Sequence, residues 1–142
     1  MTAAPATLRL LRIVLAAKIL GTIALLCVPM LLFNQRCLQE FYGLRPEPLL
    51  TARLIGVAYA ALIVGYAAGW AEAGRGRYPS WVVAMGIASN GGSVVAAAVA
   101  LATGDVRLDA LRPFGFAAML FAGLIAVSLA VCHLHHRRHR QP

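Results

Sequence analysis

Acidic residues are scarce in this chain. Five Asp and Glu stand against 13 Lys and Arg over 142 residues, and none of the five lies inside a long apolar run. Proton-coupled export needs a membrane-embedded carboxylate, which argues against a small multidrug exporter. Charge of either sign is thin: 13% of residues are charged, where a soluble domain carries about 25%. The three cysteines, Cys27, Cys37 and Cys132, are isolated. Without a CxxC pair they indicate neither a redox dithiol nor a zinc site; palmitoylation and inert packing remain open for them. No Ser-His, Cys-His or paired-carboxylate arrangement is evident, and we expect a protein that is not an enzyme.

Apolar sequence is what the chain has in abundance, at 61% of residues. It falls into four runs, roughly Ile13–Phe33, Leu54–Trp70, Trp81–Thr103 and Phe114–Cys132. The third spans 23 residues without a charge. At about 1.5 Å per residue it makes about 34 Å of helix, enough to cross a hydrocarbon core of about 30 Å. We expect an all-α protein, a bundle of four transmembrane helices forming a single unit over residues 1–142. The first run follows a basic N-terminal stretch, as a secretory signal would. Its length, Lys18 within it and the lack of a small-x-small site after it favour a retained span.

The connections carry their own signals. Asn34–Thr51 is the longest and mixes Gln35, Arg36, Gln39 and Glu40 with Leu38, Phe41 and Tyr42. That mixture suits a short interfacial segment, which Gly43, Pro46 and Pro48 then end. Ala71–Ser80 is short, so the second and third spans should be antiparallel neighbours. Trp70, Tyr78 and Trp81 flank it at the headgroup level. Pro113 is placed to open the fourth span.

The net charge of +8 does not form one nucleic-acid-binding patch; the basic residues punctuate the ends of the apolar runs. Arg9, Arg12, Arg75, Arg77, Arg137, Arg138 and Arg140 fall on one side, and Arg36, Arg45, Arg53, Arg107 and Arg112 on the other. That balance favours cytoplasmic termini.

Small residues recur every four positions: Ala61, Gly65 and Gly69 in the second span, Ala84, Ala88, Gly92, Ala96 and Ala100 in the third, and Ala118, Ala122, Ala126 and Ala130 in the fourth. Such stripes let helix backbones approach closely in lipid, where packing contact must drive association. They predict a tight bundle with little internal volume.

Few residues offer chemistry. Lys18 is the only charge inside a run. Its position near the start predicts that its stem snorkels to lipid headgroups, as Arg137, Arg138 and Arg140 should reach them from the tail. Ser89, Asn90, Gly91, Gly92 and Ser93 sit in the middle of the third run. Two readings stand: a small polar site for a lipid, quinone or pigment group, or interhelical packing with Asn90 as polar glue. Tyr59 and Tyr66, seven residues apart, share a face and either line a groove or pack their hydroxyls. His133, His135, His136 and His139 resemble a metal cluster, but three arginines among them favour a basic surface tail. No metal site is expected, and no cofactor can be named.

The stretch Leu44–Trp70, LRPEPLLTARLIGVAYAALIVGYAAGW, resembles small bacterial four-helix membrane proteins of the DoxX-like and uncharacterised kind. The shared elements are a proline-containing approach, an Arg opening the span and glycines along it. The resemblance implies a bacterial inner-membrane setting and transfers no functional residue. Tight faces without catalytic groups favour an accessory or assembly subunit of a larger membrane complex. The alternative is binding or transport of a lipid, quinone or other hydrophobic molecule. Membrane lipids, other subunits or copies of the chain itself are the expected partners, and nucleic acid is not.

Overall fold

The computed structural model describes residues 5–44, 48–104 and 112–138. Arg45, Pro46, Asp105, Arg107, Asp109, His139 and Arg140 lie outside the described residues. The described chain is helical, with no strand. α1 (Pro5–Thr22) continues through a single π turn (Ile23–Cys27) into α2 (Val28–Leu32), and α3 (Gln35–Tyr42) follows. Then come α4 (Leu49–Gly74), α5 (Ser80–Thr103) and α6 (Pro113–Arg138). Four segments are long and apolar enough to cross a membrane: Ala6–Leu32, α4, α5 and α6. Within one chain only 17–28% of each apolar window is buried. A soluble protein could not expose that much apolar surface. The fold is that of a multi-pass membrane protein, a four-helix bundle.

The helix pairs α1–α4 and α5–α6 pack most extensively, and α1–α6 and α4–α5 close the ring. α1 and α5 therefore face each other across a diagonal. The main core joins Leu11 and Leu15 of α1, Tyr66 of α4, Val82 and Val83 of α5, and Leu129 of α6.

A proline explains the break in the first span. Pro29 has no N–H to give to the carbonyl four residues back, and its ring crowds that carbonyl. That carbonyl belongs to Leu25, inside the π turn. The helix widens there, with Val28 N–H reaching Ile23 O. The Tyr42 hydroxyl donates to Leu25 O at 2.7 Å and so satisfies the group that Pro29 leaves unpaired.

α3 is a short helix within the connection Asn34–Thr51. Asn34 caps it by accepting from the Cys37 N–H at 2.9 Å, the usual way such a residue satisfies a free helix-end donor. Gly43 ends it at φ 74°, a backbone that other residues rarely adopt. Leu38 and Tyr42 pack with Met30 and Ala52 in a second cluster. Burial pushes the Tyr42 phenol above its ordinary pKa by disfavouring the charged form. Arg53 ties this end of the bundle together. Its guanidinium donates to Met30 O at 2.8 Å and Phe33 O at 2.9 Å, the last carbonyls of the first span.

The small-residue stripes divide. Gly65 and Gly69 face α5, against Met85 and Val82, so this glycine pair lets α4 and α5 approach as antiparallel neighbours. Ala122 and Ala126 are half-buried. The α5 stripe differs. Ala84, Ala88, Gly92 and Ala96 are exposed, and a Cβ at Gly92 would meet nothing within 4 Å. Within one chain this stripe packs on no helix. A four-residue period marks a face but not the side that the face looks toward, because lipid and protein interior are equally apolar.

Candidate functional site

The site lies where α1, α4, α5 and α6 converge, and Lys18 is its centre. Lys18 sits near the middle of Ala6–Leu32 and is only 4% exposed. Its ammonium donates to Asn90 Oδ1 at 2.6 Å, across the α1–α5 diagonal. The expectation that Lys18 snorkels to a headgroup is therefore corrected. Lys18 shares a face with Leu11, Leu15 and Thr22, all fully buried. The stem thus points into the bundle, where an acceptor waits, and not along the outer surface.

Two aromatic faces stand beside the ammonium. Its nitrogen is 5.7 Å from the Tyr66 ring centroid and 5.5 Å from that of Phe121, within the range of cation–π attraction. Gly21 makes room for the second ring: a Cβ there would collide with Phe121. Gly86 does the same on α5, where a Cβ would meet Leu129 at 2.5 Å and Tyr66 at 3.3 Å.

Asn90 is 2% exposed and is held from both ends of its amide. While Oδ1 accepts from Lys18, Nδ2 donates to Gly86 O at 2.6 Å and lies 3.4 Å from Ser89 Oγ. Tyr66 and Ser89 share a hydrogen bond at 2.9 Å. Ser93 returns its hydroxyl to Ser89 O, 2.8 Å away. In a membrane interior such groups must find protein partners, and this network supplies them.

Beside the network lies a cavity of about 610 Å³. Lys18, Tyr59, Ser89, Asn90 and Ser93 contribute its polar atoms, and the remaining wall is apolar. This volume falls in the range of about 300–1,000 Å³ typical of small-molecule sites. The expectation of little internal volume is corrected here. Small residues on facing helices, Ser89 and Ser93 on α5 and Ala118, Ala122 and Gly123 on α6, leave the space unfilled. Phe116, Leu120 and Leu124 are both wall residues and outward-facing, so the cavity reaches the apolar flank of α6.

Of the residues expected either to form a polar site or to pack, Ser89, Asn90, Ser93 and Tyr66 share one network, and Tyr59 lines the cavity beside it. The structure adds Lys18, Gly21 and Phe121. The spacing 11–15–18–22 was the sequence signal that Lys18 shares the face of Leu11 and Leu15, but a run that is apolar all round does not show which face is inner. Arg137 and Arg138 are exposed at the end of α6, as headgroup contacts require. His136 is buried and stacks on Tyr78, with ring centroids 3.7 Å apart and planes 11° from parallel. Among the described residues no three His, Cys, Asp or Glu side chains converge as metal ligands would. Comparison with protein-family models, with curated proteins and with solved structures yields no match.

Proposed function

We propose that this protein binds a lipophilic small molecule within the membrane, in the cavity between its four spans. The observation that carries the reading is the combination of about 610 Å³ of mostly apolar space with one buried ammonium at its wall. Apolar walls hold a hydrophobic body, and a few fixed polar atoms orient it. The open flank of α6 admits such a molecule from the lipid side. The role in this reading is that of a binding or carrier protein. The basic-residue balance and the resemblance of Leu44–Trp70 favour a bacterial inner membrane with both termini cytoplasmic.

The test is native mass spectrometry of the protein purified in mild detergent. A defined small molecule should co-elute with the wild type. Ala122→Phe and Ser93→Phe fill the cavity from opposite walls and should lose it. Retention of the same molecule by both variants counts against the site.

One observation favours a second role, as an accessory subunit or self-associating protein. The α5 stripe Ala84, Ala88, Gly92 and Ala96 is shallow and faces outward, where another helix can approach. A stoichiometric protein partner in the same purification supports it.

A further inference from the structure

Lys18 is the only lysine of the chain, and among the described residues it has no counter-charge. Among the described residues, Glu40 is held by Arg36 at 3.0 Å on the surface, and Glu72 lies in the last turn of α4, away from the middle of the span. A lysine ammonium has three protons to donate, and Asn90 takes one. No other hydrogen-bond acceptor meets the remaining two among the described residues. Tyr59 also lines the cavity, and its hydroxyl makes no hydrogen bond among the described residues. The other polar groups are committed to one another: Asn90 Nδ2 to Gly86, Ser93 to Ser89, and Tyr66 to Ser89.

Resting on the reading that the cavity holds a lipophilic molecule, we propose that this molecule is a single-chain carboxylate of the fatty-acid class, its head on Lys18 and its chain along α6. A buried cation without an opposite charge is costly, and an anion lowers that cost. Two free ammonium protons suit the two oxygens of a carboxylate. They are too few for a phosphate, which brings more oxygens and more charge. Depth favours the same class. Lys18 is near mid-span, so the head must leave the interface, and a single-chain molecule can enter whole through the flank beside Leu120 and Leu124.

The test titrates the full-length protein in mild detergent with radiolabelled oleate and, separately, with radiolabelled oleyl alcohol. The two share a chain and differ in the head. Oleate should bind about tenfold or more tighter, the value of a charge-assisted hydrogen bond. In Lys18→Met that ratio should fall toward one. If Lys18→Met does not assemble, the acid-to-alcohol ratio of the wild type decides alone. Equal binding of acid and alcohol, both abolished by Ala122→Phe, overturns the carboxylate and keeps the lipophile site. Binding of neither overturns both. Tighter binding of 1-oleoyl-lysophosphatidate than of oleate overturns the carboxylate in favour of a phosphate head.

Discussion

Lys18 and Asn90 are 72 residues apart in sequence and 2.6 Å apart in space, at 4% and 2% exposure. The bond crosses the diagonal of the bundle, where α1 and α5 otherwise meet little. Its two ends are unequal. Removing Asn90 leaves a buried ammonium without an acceptor, whereas removing the Lys18 charge leaves only a neutral amide short of one partner. Asn90→Leu should therefore cost about 1–3 kcal/mol of bundle stability, and Lys18→Met distinctly less. Combining both changes should recover part of the loss. Thermal unfolding of the three variants in one detergent checks the order. A larger loss for Lys18→Met than for Asn90→Leu would contradict it.

The spans and the opening of α6 at Pro113 were legible in the sequence because each rests on local chemistry: apolar length, and a proline at a first turn. Lys18 was not. Its distance from the start of the run allows snorkelling, and only the position of Asn90 on another helix decides against it. The Ser89–Ser93 cluster was visible as unusual, but the cavity beside it depends on which helix presents small residues opposite. That is a tertiary property. The α5 stripe illustrates the limit best, since its period was correct while its side was open.

The Tyr42–Leu25 bond exists because Pro29 frees the Leu25 carbonyl. Tyr42→Phe should destabilise the wild type by about 1 kcal/mol, the net value of one hydrogen bond. Pro29→Ala restores an N–H that can take the same carbonyl. In that background the cost of Tyr42→Phe should shrink, because the hydroxyl is no longer the sole donor. A double-mutant cycle measured by thermal unfolding reads this coupling. Additive effects would show that the two residues act independently.

Arg53 holds two carbonyls at the end of the first span. Its planar fork reaches both at once, which a lysine cannot do. Arg53→Lys should lose about half of the stabilisation lost in Arg53→Ala, itself about 1–3 kcal/mol. Protease sensitivity in the connection between α2 and α4 should rise in the same order. Unchanged sensitivity in Arg53→Ala would mean that the two carbonyls are satisfied without it.

Gly69 and Gly92 belong to similar small-residue stripes but meet opposite surroundings. A Cβ at Gly69 would lie 2.7 Å from Val82, whereas one at Gly92 would meet nothing within 4 Å. Gly69→Leu therefore forces α4 from α5 and should cost at least the 1–3 kcal/mol typical of overpacking. Gly92→Leu should leave the stability of the single chain within about 0.5 kcal/mol, as exposed substitutions do. Its effect, if the stripe meets another helix, falls on association alone. Thermal unfolding and size-exclusion chromatography of both variants in the same detergent separate these cases. Destabilisation of the isolated chain by Gly92→Leu would place that stripe inside the bundle after all. A shift of Gly92→Leu to a smaller assembly at unchanged unfolding temperature would identify α5 as the face that meets a partner.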